Sequence, residues 1–185
     1  MADTAKPSVA AIASQWWRQF CDPEGPVGHG SARAFRAACR RLRTPAEAYT
    51  LEQTAALHRI LAAEGYGQSD RPYDRVGLIA GLLGQVERFE ADSHEKSLAA
   101  VRMGRGDPPT VSPMRFQKLI RSDVRDLMTP LRRALSQIEF KCSPGRLASD
   151  LFYWGDDVKA RWCLQYYGDT QLPQISTTAP EETPA

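Results

Sequence analysis

The sequence predicts an all-α protein, a two-lobed helical bundle of about eight helices, on three observations. Apolar residues recur three and four positions apart in one segment after another. A Ser or Thr followed by Pro, pairing an N-cap with a first-turn proline, stands at Thr44-Pro45, Ser112-Pro113 and Ser143-Pro144. No stretch alternates apolar and polar residues as a half-buried strand does, and no segment repeats another.

Taken in order, Val9–Phe20 places Ile12, Trp16 and Phe20 on one face, and Asp22-Pro23-Glu24-Gly25-Pro26 breaks it. Trp16 and Trp17 are adjacent, so one is expected in the core and the other at a rim. Ser31–Leu42 turns Phe35, Ala38, Cys39 and Leu42 inward and its arginines elsewhere. Thr44-Pro45-Ala46-Glu47 has the form of a capping box and opens a helix expected to run to about Ala63, ending at Gly65. Pro72–Phe89 follows, and its Gly77, Gly81 and Gly84 let another helix approach closely. Residues 104–109 read as a flexible loop within a longer connection, 91–111. Beyond it, helices are expected at 113–121, from about Asp123 to Ile138 with Pro130 as a kink, at 144–154 and at 157–167. The organisation is an N-terminal lobe at residues 1–95, a C-terminal lobe at 96–168 and a disordered tail at 169–185.

Catalytic and metal chemistry find little support. His29, His58 and His94 lie far apart, and none sits in a zinc-binding spacing; His58 reads as a packed or surface side chain. No phosphate-binding loop is present, and no metal or cofactor is expected. The four cysteines never form a C-x-x-C pair and read as small core residues of a soluble, cytoplasmic protein. Asp156-Asp157 suits a helix N-terminus, with Lys159 and Arg161 as partners. Tyr153, Trp154, Trp162, Tyr166 and Tyr167 read as core between the last two helices.

Charge distribution is more telling. The net charge is only +2, but the last seventeen residues hold three acids and no base, which leaves residues 1–168 at +5. Arg115, Lys118, Arg121, Arg125, Arg132 and Arg133 have no Asp or Glu three or four positions away. A solvated helix face usually mixes signs at that spacing, so cations left without local acids call for an external anion. A phosphate backbone is the natural one. At 100° per residue the cations of 113–121 oppose Phe116, Leu119 and Ile120. Arg125 and Arg132, seven apart, are expected to stack along one flank. A second stripe, Arg33, Arg36 and Arg40, runs along Ser31–Leu42, a segment with no acid. The chain lacks the polar reading helix of a stand-alone DNA-binding regulator, so backbone contact is expected rather than base readout. The alternative is a helical adaptor whose arginine faces meet acidic protein surfaces.

Arg115-Phe116-x-x-Leu119-Ile120-Arg121, then Leu131-Arg132-Arg133-x-Leu135, then a helix ending in Trp154-Gly155, resemble the CasB family, small subunit of the type I-E CRISPR Cascade surveillance complex. Trp16, the Arg33–Arg41 helix and Ser97-Leu98-Ala99-Ala100 fall in that family's order. The resemblance implies a non-enzymatic, all-α, two-lobed protein that pairs head-to-tail with a second copy. It implies crRNA, target and non-target DNA, the backbone subunits and the large subunit as partners, and a basic surface that holds the displaced strand of the R-loop. By position, Arg36, Arg115, Arg121 and Arg133 match basic residues of that surface. Arg33, Arg40, Lys118, Arg125 and Arg132 join them on charge geometry. Two departures stand out: Asp156-Asp157 replaces the basic residues some relatives carry after Trp-Gly, and Ala99 stands where Gly is common.

Overall fold

Helices form where apolar spacing is regular and a start signal is available. The computed structural model shows nine α-helices, one 3-10 turn and no strand among the residues it describes, 6–67, 71–86 and 99–168. The boundary at 95/96, the tail at 169–185 and His94 lie outside the described residues.

α1 (Val9–Phe20) starts at Ser8, whose Oγ accepts the Ala11 N–H at 3.2 Å. Val9, Ile12, Ala13, Trp16 and Trp17 are buried. Both tryptophans are 1% exposed, which corrects the expectation of one at a rim. The reason is that α1 is covered on two sides, by α3 (Glu52–Ala63) and α8 (Pro144–Phe152). Each indole finds a carbonyl: Trp16 Nε1 donates to Gln53 O at 2.9 Å and Trp17 Nε1 to Val86 O at 3.2 Å.

α2 (Gly28–Cys39) leads to a 3-10 turn at Ala46–Thr50. The single helix expected over 44–63 is therefore two elements, separated by Leu51 in extended backbone. The capping box is real but shifted: Thr44 Oγ1 accepts the Glu47 N–H at 3.4 Å, and Glu47 Oε2 reaches back to Arg43 N at 2.8 Å. α3 ends as expected at Gly65, whose φ of +75° permits the Tyr66 N–H to close on Leu61 O at 2.8 Å.

α4 (Pro72–Leu83) is the centre of the molecule. Val76 through Leu83 are all buried, and α4 packs against α2, α3, the 3-10 turn, α7 (Met128–Gln137) and α8. A helix enclosed on that many sides must be apolar all round, and close neighbours require its glycines. A Cβ at Gly77 would lie 2.1 Å from Pro45 O, and one at Gly84 would lie 2.4 Å from Cys39 Sγ. Arg75 at its start donates to Phe152 O at 2.7 Å, satisfying a carbonyl at the C-terminus of α8.

α5 (Ala99–Gly104) was not anticipated, since the whole of 91–111 read as a connection. It packs on α9 (Asp156–Tyr167) and buries Ala99, Ala100 and Met103. α6 (Pro113–Arg121) has the predicted bounds. α7 begins at Met128 rather than Asp123, so Arg125 lies in a turn outside it, and Pro130 occupies the first helical turn, where no intrahelical bond is lost. Neither the kink nor the Arg125–Arg132 stack forms.

The buried side chains, from Val9 to Tyr166, make one core cluster. In α9, Trp162 Nε1 donates to Asp150 Oδ2 at 2.7 Å, and Arg161 pairs with the same carboxylate rather than with Asp157. Burial raises the Asp150 carboxyl above its ordinary pKa, against the pull of both donors. Trp154, Trp162 and Tyr166 are core as expected, whereas Tyr153 and Tyr167 are 54% and 42% exposed. All four cysteines are free thiols, and burial pushes Cys39 and Cys142 up to about 12. Among the described residues no helix is long and apolar enough to cross a membrane.

Candidate nucleic-acid interface

α6 is held to the core by one apolar face. Phe116 and Leu119 are buried, and Phe116 stacks on Tyr166 with ring centroids 3.9 Å apart. Tyr166 is itself fixed, its hydroxyl donating to Val111 O at 2.5 Å. With that face pinned, the helical period turns Arg115, Lys118 and Arg121 to solvent, and all three are exposed. α7 crosses beside α6 and buries Met128, Leu131, Ala134 and Leu135, which leaves Arg133 exposed on the same side.

Between the two helices runs a groove of about 510 Å³. Arg115 and Lys118 from α6 and Arg133 from α7 line it, together with Thr129, Ser136 and Gln137. Its lining holds, among the described residues, three cations, no carboxylate, two hydroxyls and one side-chain amide. Among the described residues none of the three cations has an ion-pair partner. Gln137 positions one of them: with its amide turned to satisfy both ends, the nitrogen donates to Thr110 O at 2.9 Å and the oxygen accepts from Arg115 Nη1 at 2.6 Å. Guanidinium, ammonium and hydroxyl groups without an acid among the described lining residues are the donor chemistry by which anions such as phosphates are recognised.

The other sequence-predicted residues fall in different places. Arg121 lines a neighbouring open hollow of about 490 Å³, whose wall it shares with Lys118, Asp123 and Asp126. Arg33 and Arg40 are exposed and Arg36 half-buried on α2, and none of them lines the groove or the hollow. Arg125 is exposed, but its Nε meets Asp74 Oδ2 of α4 at 3.1 Å. Arg71 similarly pairs with Asp123 at 2.9 Å. The Val124 N–H and the Arg71 guanidinium hold the Asp123 carboxyl below its ordinary pKa.

Arg132 is a correction. It is half-buried, with Nη1 donating to Leu42 O at 2.7 Å and Nη2 to Cys39 O at 3.2 Å. Its guanidinium therefore ties α7 to the carbonyl of Cys39, the last residue of α2, and to that of Leu42 just beyond it, and burial lowers its pKa. Arg132→Ala is expected to cost about 1–3 kcal/mol through those orphaned carbonyls. At this chain length that lowers the melting temperature by roughly 2–12 °C. Binding of single-stranded DNA below the new melting temperature should stay within twofold of the parent, roughly the error of such assays. A large loss of binding with no change in melting would return Arg132 to the surface.

Sequence reasoning missed Gln137, Thr129, Met114 and Asp126 as lining residues. The Arg71–Asp123 and Arg125–Asp74 pairs also escaped it, because they join residues 52 and 51 positions apart. No group of three or more His, Cys, Asp or Glu able to hold a metal ion occurs among the described residues.

The family model described as CRISPR-associated protein Cse2 matches residues 33–167. No curated protein and no solved structure matches the chain. The matched span contains α3 to α9 entire, most of α2, and every residue of the groove.

Proposed function

The chain belongs to the CRISPR-associated Cse2 family (CasB), small subunits of CRISPR Cascade, and we propose that it holds nucleic acid independently of sequence, through the α6/α7 groove. The observation that carries this reading is the composition of the groove, with Arg115, Lys118 and Arg133 converging on one trough that has no carboxylate among the described residues. The ligand is a single strand, chiefly the displaced non-target strand of the R-loop, with crRNA and target DNA nearby. The role is structural rather than catalytic. Backbone subunits, the large subunit and a second head-to-tail copy are its protein partners, in the cytoplasm.

The energetics suit that task. R-loop formation exchanges one duplex for another of similar stability, so a few backbone contacts suffice to tip it. Each phosphate neutralised on a single strand contributes about 0.7 to the slope of log affinity against log salt. Three contacts thus give a slope near −2, about a twentyfold weakening between 50 and 200 mM salt.

Fluorescence anisotropy of a labelled single strand, with the purified full chain at those two salt concentrations, reads this directly. The expected result is micromolar binding that weakens by about that factor. Salt-insensitive binding or none at all, both alone and with the partner subunits, would count against the reading and favour an adaptor that docks on acidic protein surfaces.

A further inference from the structure

The hollow beside the groove differs from it in charge, and the difference points to another part of the same ligand. It lies at the end of α6, walled by Met114, Gln117, Lys118, Arg121, Asp123 and Asp126. Lys118 stands on the ridge between the two concavities and lines both. Among the described residues two cations face two carboxylates there, and Arg71 neutralises one of those carboxylates, so the hollow is less basic than the groove but not without charge. A phosphate gains less from entering it, beside the open carboxylate of Asp126, than from the groove. An unstacked base is neutral, has a flat apolar face, and carries donors and acceptors on its edge.

The walls match those features. Met114 is 82% exposed, the one large hydrophobic side chain exposed on α6, and its thioether suits an aromatic face. Gln117 and Arg121 supply donors. The two carboxylates are not equivalent. Asp123 is occupied, taking the Val124 N–H on Oδ1 at 2.6 Å and Arg71 on Oδ2 at 2.9 Å. Asp126 is exposed, and among the described residues its carboxylate has no hydrogen-bond or ion-pair partner.

The geometry points to this hollow as the seat of one unstacked base of the strand whose phosphates lie in the groove, with Asp126 accepting from the exocyclic amine of that base. It rests on the nucleic-acid reading of the groove. The consequence is a base preference in a site otherwise blind to sequence. Cytosine and adenine offer an amine to a carboxylate. Thymine offers only a ring N–H between two carbonyl oxygens, which a carboxylate repels.

The test uses the full chain and two probes, short homo-oligomers of deoxycytidine and of thymidine, at neutral pH and one salt concentration. A bidentate base contact is worth tenfold or more, so a single exposed acceptor is expected to favour the cytidine oligomer by about threefold. Asp126→Asn removes a negative charge and tightens both complexes, so the ratio is the readout. It should fall to about one, since an amide also donates to the thymine carbonyls. Met114→Ala should weaken both oligomers alike and leave the salt slope unchanged, because an apolar contact releases no counterions. Equal binding of the two oligomers by the parent chain, a ratio unmoved by Asp126→Asn, or no effect of Met114→Ala would overturn the base seat alone. Loss of salt-sensitive binding to both oligomers would instead remove the groove reading beneath it.

Discussion

Replacing Arg115, Lys118 and Arg133 together by Glu is expected to lower affinity for single-stranded DNA by about a hundredfold or more and to remove about two units of salt slope. The slope follows from losing three phosphate contacts, and the reversed charges add repulsion to that loss. The fold should survive. All three side chains are exposed, and none has an ion pair among the described residues to lose. Glu is about as good a helix former as Arg or Lys, and at position 115 it lies in the first turn of α6, where the helix dipole favours an acid. Circular dichroism should therefore match the parent while anisotropy collapses. The same variant within the assembled complex should release the displaced strand faster. An unfolded variant would make the cations structural. A folded variant that binds as well as the parent would send the strand elsewhere, with α2 and its Arg33, Arg36 and Arg40 as the next surface to reverse.

The groove shows where sequence reading reaches and where it stops. Arg115, Lys118 and Arg121 were legible because α6 is short, opened by a first-turn proline and pinned by Phe116 and Leu119, so helical period alone fixes the outward face. Residues 123–138 misled for a specific reason. Val124, Leu127, Leu131, Leu135 and Ile138 recur at helical spacing, and all five are indeed buried. Yet the first two are buried from a turn, in which Asp123 Oδ1 takes the Val124 N–H and Asp126 N closes on Asp123 O at 3.0 Å. Apolar period reports which side faces the core, not whether the backbone between contacts is helical. Arg132 and Arg125 failed for a different reason. Their partners, Cys39 O, Leu42 O and Asp74, belong to elements far away in sequence, so no count of neighbouring acids could find them. The adjacent tryptophans failed because α1 is covered from two sides, a property of the assembled bundle rather than of the helix.

Gly77→Val is expected to cost about 3 kcal/mol or more, a large share of the 5–15 kcal/mol that usually separates folded from unfolded chains. A Cβ there would lie 2.1 Å from Pro45 O, 2.8 Å from Pro45 C and 3.3 Å from Pro45 Cα. All three are backbone atoms, so no side-chain rotation relieves the clash, and the 3-10 turn must lift off α4. Gly30→Ala in α2 separates this steric effect from the ordinary consequence of replacing a helical glycine. A Cβ at Gly30 meets nothing within 4 Å, so this variant should be neutral or gain about 0.5–1 kcal/mol. Opposite shifts of the denaturation midpoint in the two variants are the expected result; similar shifts would mean that the approach of Pro45 to α4 does not constrain the fold. The effect should also reach the groove. α4 lies behind α7, and at Gly81 a Cβ would come within 2.9 Å of Met128 Cε at the start of that helix. A bundle loosened at Gly77 should therefore lose strand binding together with its helical signal, whereas reversing the groove cations removes binding alone.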